Sequence, residues 1–226
     1  AHAIMIQFRN DCLEPVWLGC SIERYMQIKS WDDMMEWLNE NESHFNSDLG
    51  LLLRAGIEFG LDKFGQGVGK FLAWGTYLHK DMYNKPTIEA RNPAVISSSG
   101  FWDGKNYHAA DHMQVAEHVK HAWYMNQADA LHPFDEPAPM ASTDSRTLEN
   151  SDFNDKYSWS KAPRFMGHAA ETGPLARVIM NANPANAAHQ IQDPLFGDIM
   201  EKMGPSVFTR VLARVHEAPR IYTLIN

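Results

Sequence analysis

What most constrains the fold of this chain is the recurrence of apolar residues at helical spacing, several of the runs opened by a capping residue. Ser47 stands ahead of Leu49, Leu52, Leu53, Ile57 and Leu61, which fall on one helical face. Ser30, followed by Trp31, Asp32 and Asp33, has the form of an N-cap with an acidic first turn. The helix behind it runs to about Asn39 and buries Met34, Trp37 and Leu38. Thr172 or Gly173 before Pro174 suits another helix start, since proline is well tolerated at the first helical position. Leu195–Met203 and Ser206–Ile221 complete the set, the latter aligning Val207, Val211, Leu212 and Val215. Pro219 is expected to kink or end that last helix.

Shorter segments follow a different pattern. Gly65, Gly67 and Gly69 stop the helix that Ser47 opens, and Phe71–Tyr77 is apolar but too short to separate strand from buried loop. Ala94–Trp102 and Lys105–His108 flank Asp103-Gly104, a strong hairpin signal. Asp111 with Gln114 resembles a capping box and predicts a helix through His121, with Val115, Val119 and Ala122 on one face. Residues 126–154 are polar, with Pro133, Pro137 and Pro139 among them, and read as a surface excursion. Lys156–Lys161 alternates Tyr157 and Trp159 inward against Ser158 and Ser160 outward, a strand pattern. The fold class expected is mainly α with a small β element (α+β), as a single partial domain over residues 1–226.

Charge and cysteine content exclude several functions. The formal net charge is -8, which suits neither nucleic acid nor an anionic lipid surface. No apolar run reaches about 18 residues, so no spanning helix is expected. Residues 1–8, broken by His2 and Gln7, are too short for a signal peptide's apolar region. The two cysteines, Cys12 and Cys20, are eight residues apart; they make no disulfide scaffold, suit a reducing compartment, and are read as buried structural thiols.

Candidate chemistry is sparse. The glycines at 65, 67 and 69 lack the strand before and the helix after that a nucleotide loop requires, and read as a turn. His108, His112, His118 and His121 lie within 14 residues, but the spacing of His118 and His121 is not that of the zinc-protease helix. They read as a solvated or core-edge set, with a histidine-metal hydrolase as a remote alternative. Asp193-Pro194 and the Ala-Pro-Arg of residues 218–220 read as coincidental likenesses to metal-site motifs. Lys161, Arg164 and Arg177 are each read as locking the fold through pairs with Glu171, Asp152 or Asp155.

Taken together, four blocks resemble the nickel–iron hydrogenase large subunit. They are Gly67-Val-Gly69-Lys-Phe71-Leu72-Ala-Trp74-Gly75; Glu117-His-Val-Lys-His-Ala-Trp123-Tyr124 with Leu131-His132-Pro133-Phe134; Tyr157-Ser-Trp159-Ser-Lys161-Ala-Pro163-Arg164; and Glu171-Thr-Gly173-Pro174-Leu175-Ala176-Arg177. They span about Gly60 to Met180. Lys70, Trp74 and Thr172 depart from the family's usual Asn, Tyr and Val. The paired-cysteine motifs that supply four thiolates in the family are not in this sequence, nor are its proton-relay glutamate and catalytic-arginine segments.

The resemblance therefore implies an interior fragment of such a subunit, with the family's N- and C-terminal parts as missing partners. No catalytic, cofactor-binding or metal-ligating residue carries over. The complete subunit would hold a nickel–iron centre with CO and cyanide, split H2 into hydride and proton, and pass electrons to an iron–sulfur small subunit. This chain alone would hold no cofactor and would serve as scaffold around the centre, at a cytoplasmic or cytoplasmic-membrane location. A metal-free assembly subunit with the same fold is the alternative.

Overall fold

The computed structural model describes residues 2–78, 94–124, 129–135, 156–181, 191 and 193–225. They form two compact units, one of residues 1–109 and 171–226, the other of residues 110–170. Most of the expected excursion at 126–154 lies outside the described residues, as do Asp152 and Asp155.

The first unit is built from helices α1 (His2–Phe8), α2 (Ile22–Tyr25), α3 (Trp31–Glu40), α4 (Glu42–Asn46), α5 (Asp48–Glu58), α6 (Pro174–Met180), α7 (Pro194–Met203) and α8 (Val207–Ile225). A π-helical stretch, Arg9–Leu18, continues α1 and contains Pro15. Three strands, β1 (Phe71–Leu78), β2 (Ala94–Trp102) and β3 (Tyr107–His108), make one antiparallel sheet in the order β1-β2-β3.

Local sequence explains the helix starts. Ser30 Oγ accepts from Asp33 N–H at 3.1 Å, and Ser47 Oγ accepts from Gly50 N–H at 3.0 Å. Each satisfies one of the four backbone donors that a helix start leaves unpaired. The α3 face buries Met34, Trp37 and Leu38, as its spacing predicts. On α5 the buried face is Leu49, Gly50, Leu53 and Gly56, whereas Ile57 is 55% exposed. Helical spacing alone had placed Ile57 inside. A Cβ at Gly56 would sit 2.4 Å from the Phe208 ring, so Phe208 packs directly on the α5 backbone at this glycine.

The core joins both ends of the chain: Leu13, Tyr25, Trp37, Leu53, Phe71, Leu175, Phe196, Phe208 and Leu212 belong to one buried cluster. Burying side chains of this size contributes about 1.5–3 kcal/mol each before the entropic cost of ordering them. Helix α6 packs on β1, β2 and α8, so the sheet hairpin sits against helices. The hairpin turn is the four-residue loop 103–106: Asp103 N–H donates to Asn106 C=O, and the Asp103 carboxylate accepts from both Lys105 N–H and Asn106 N–H. Pro219 lies inside α8 and does not end it.

The second unit departs from expectation. The helix predicted from Asp111 to His121 is only a 3-10 turn, His112–Gln114, followed by strand β4 (Val115–His118). Asp111 does cap the turn, accepting from Met113 N–H at 3.0 Å. Strand β5 (Ala162–Phe165) then pairs antiparallel with β4, and a partner strand decides between the two conformations. Residues 156–161 are not a strand. Ser158 makes one parallel bridge to Ala122, while Tyr157 is 75% and Trp159 58% exposed, so these rings do not point inward. The buried side chains here are few, chiefly Val119, Ala122, Lys156 and Phe165.

Together the fold is mainly helical with two small sheets, α+β as expected. Among the described residues no helix is long and apolar enough to cross a membrane.

Candidate functional site: an ionic clamp on the last helix

The motif residues of the first unit converge on α8. Phe71 and Glu171 form a parallel bridge in which Leu72 N–H donates to Glu171 C=O and Glu171 N–H donates to Lys70 C=O, both at 2.8 Å. The glycine block and the Glu171–Arg177 block are thereby held side by side. Arg210 Nε and Nη2 then donate to the two Glu171 carboxylate oxygens, each at 2.6 Å. The same guanidinium also donates to Gly65 C=O and to Gln66 C=O. Two turns along the same face of α8, Glu217 accepts a second fork from Arg177 at 2.5 and 2.6 Å. Bidentate arginine–carboxylate pairs fix orientation as well as distance, which a lysine could not do.

This arrangement explains Gly67. A Cβ there would lie 2.3 Å from Glu171 Oε1 and 2.6 Å from Arg210 Nη2, inside the ion pair. Gly69 lines an apolar cavity of about 260 Å3 with Phe71, Trp102, Ile179 and Met200. Gly75 lies within β1, and Gly173, at φ 124°, immediately precedes Pro174 at the start of α6. Of the expected partners Asp152 and Asp155 lie outside the described residues; Glu171 pairs with Arg210 instead, Arg177 pairs with Glu217 and Lys161 with Glu117.

Arg210→Gln is expected to lower stability by about 2 kcal/mol, because it leaves the Glu171 carboxylate half-buried without its fork. Urea unfolding of the two proteins would measure it, and a loss below about 0.5 kcal/mol would contradict the clamp.

A buried ionic cluster lies deeper. Asp193 caps α7, accepting from Phe196 N–H at 3.1 Å. Its Oδ2 also accepts from His216 Nε2 at 2.8 Å and faces Arg220 Nη1 at 3.2 Å. With Nε2 donating to the carboxylate, His216 Nδ1 accepts from Tyr25 O–H at 2.9 Å. Burial alone would raise the Asp193 carboxyl, but the hydrogen bonds from His216 and from Phe196 N–H, together with the Arg220 charge, hold it down, at about 2. Burial pushes the Tyr25 phenol well above its ordinary value. Asp193-Pro194 and Ala218-Pro219-Arg220, whose likeness to metal-site motifs reads as coincidental, meet in the fold as a structural tie. The usable signal was the capping position of Asp193 ahead of Pro194.

The remaining motif residues lie in the second unit. Tyr157, Lys161 and Arg164 line a cleft of about 410 Å3 with His118, Lys120 and His121. Lys161 Nζ donates to Glu117 at 2.6 Å, and Pro163 pairs with Glu117 across the β4–β5 ladder. Trp159 packs edge-on against Trp123 at 4.9 Å. The clustered histidines only partly disperse: His118 and His121 share the cleft, whereas His108 bonds Asp103 in the first unit and His112 packs against His132 in the second. Among the described residues, no three His, Cys, Asp or Glu side chains converge to hold a metal ion. Cys12 and Cys20 are free and only partly buried.

A family profile described as nickel-dependent hydrogenase matches residues 20–226. The uptake hydrogenase large subunit of Afipia carboxidovorans is 32% identical over 174 residues, 68% of this chain and 28% of that protein. The corresponding subunit of Rubrivivax gelatinosus is 38% identical over 119 residues, 47% of this chain and 18% of its own length. Among solved structures, a nickel–iron–selenium hydrogenase from Desulfovibrio vulgaris Hildenborough aligns with a TM-score of 0.57 at 20% identity, covering 87% of this chain and 40% of that chain. At that identity the likeness concerns the fold. The chain spans about a quarter of the Afipia relative's length.

Proposed function

The chain belongs to the nickel-dependent hydrogenase family, and on that premise we propose that it is an interior piece of the large subunit of a nickel–iron hydrogenase that oxidises H2. The observation that carries this reading is the double clamp, in which Arg210 and Glu217 of α8 grip both ends of the Glu171–Arg177 motif. The motif residues are spent on holding chain segments together, which is the work of a scaffold.

The donor set does not fit the metal centre itself. A nickel–iron site calls for several soft thiolates, and the chain has two cysteines, with no converging ligand group among the described residues. The ligands, with the iron-bound CO and cyanide, would come from parts of the subunit that this sequence does not include. The implied partners are those parts and an iron–sulfur small subunit, at a cytoplasmic or membrane-associated location. What the residues present do is position: Arg177 and Arg210 fix the loops entering α6 and β1 relative to α8.

Alone, the 226-residue chain is expected to show no H2-dependent dye reduction and to retain no stoichiometric nickel after desalting. Dye reduction under H2 and metal analysis of the purified chain check this, and nickel bound one-to-one would overturn it. Reading the flanking DNA tests the larger claim. Two paired-cysteine motifs, one on each side, are expected in frame. Start and stop codons without such motifs would replace this reading with that of a metal-free scaffold subunit.

A further inference from the structure

The cleft of the second unit has a composition that the ionic clamp does not account for. Among the described residues its lining carries three fixed cations, Lys120, Lys161 and Arg164, and no carboxylate, within a chain of formal net charge -8. Two serine hydroxyls, Ser158 and Ser160, and the phenol of Tyr157 add neutral donors. Backbone pairing builds this wall. Tyr157 N–H donates to His121 C=O at 3.0 Å, Trp123 N–H donates to Ser158 C=O at 2.9 Å, and β4–β5 pairing sets Arg164 opposite Ala116. Lys161 is partly neutralised by Glu117 at 2.6 Å, and Lys120 and Arg164 are the other two cations of the lining.

We propose that this cleft is a binding site for a small molecule bearing a phosphate group. Ammonium, guanidinium and hydroxyl donors in one concavity match a dianion with three acceptor oxygens better than a carboxylate with two. The volume, about 410 Å3, exceeds that of a bare phosphate and leaves room for an organic remainder. The Tyr157 ring, stacked on His121 at a centroid distance of 5.9 Å, supplies a flat surface for it. Nothing in this assignment depends on nickel or on hydrogenase activity.

The test is calorimetric titration of the 226-residue chain with inorganic phosphate, phenyl phosphate and benzoate at low ionic strength. Phenyl phosphate is expected to bind more tightly than inorganic phosphate, and benzoate at least tenfold more weakly than phenyl phosphate, as a rough expectation from the doubled charge. Lys120→Gln and Arg164→Gln should each weaken phenyl phosphate by about tenfold, and Arg164→Lys should recover part of the loss. Lys105→Gln, in the first unit, should leave binding unchanged. If either charge variant loses its fold by circular dichroism, the double change Ser158→Ala and Ser160→Ala serves instead, with a loss of about threefold to tenfold expected. Benzoate binding as tightly as phenyl phosphate, no phenyl phosphate binding at about 10 mM, or folded variants that bind like the parent would each overturn the proposal.

Discussion

Asp193→Ala is expected to lower the stability of the first unit by about 3–5 kcal/mol, the usual cost of removing one partner from a buried charge pair. The side chain is 10% exposed, and its loss would leave His216 and Arg220 without their shared acceptor and α7 without its cap. Tyr25, held through His216, would lose its anchor as well. Asp193→Asn should cost less, because it keeps the volume and part of the hydrogen bonding. The same carboxylate predicts a pH dependence. Its folded pKa, about 2, lies below the ordinary 3.8, so the stability it contributes is full above about pH 4 and is lost as pH falls towards 2. The shift corresponds to about 2 kcal/mol. Denaturant midpoints measured from pH 5 to pH 2 should fall steeply for the parent and much less for Asp193→Asn. Parallel curves would show that the cluster does not hold the carboxyl down.

The second large effect is at Gly50→Ala, expected to destabilise by about 3 kcal/mol. In an isolated helix this substitution would stabilise by about 1 kcal/mol, since alanine is the better helix former. Here a Cβ at position 50 would come 2.2 Å from His44 C=O and 2.5 Å from Phe45 C=O, which are backbone atoms that cannot rotate aside. The α4–α5 corner would have to open, and with it the Trp37–His44 stack at 4.6 Å. Thermal unfolding of the variant gives the sign directly. A raised melting temperature would mean that helix propensity outweighs the contact and that this corner is looser than described.

Local signals were legible wherever one residue type does one job at short range. Ser30 and Ser47 cap the helices they were expected to cap, and Asp103-Gly104 marks a hairpin, although the turn takes in Lys105 and Asn106 as well. The α3 face came out residue for residue. The failures were long-range. Val115, Ala116 and His118 suit a helix until Phe165, Arg164 and Ala162 arrive to pair with them. Tyr157 and Trp159 alternate like strand residues but have no strand beside them, so their rings stay exposed. The choice of Arg210 for Glu171 and Glu217 for Arg177 joins residues about 40 positions apart, beyond the reach of any local pattern.

By itself the sequence determined the helical class, the capped helix starts and, through four motif blocks and a shortage of cysteine, the family and the want of a complete thiolate set. Only the tertiary structure decided which charges meet, which glycines are needed for close approach, and that the segments around Asp193 and His216–Arg220 form one buried cluster. The physical reason is range. Caps and periodicity act over a few residues and can be read from neighbours in the chain, whereas an ion pair or a helix contact depends on which distant backbone is packed against it.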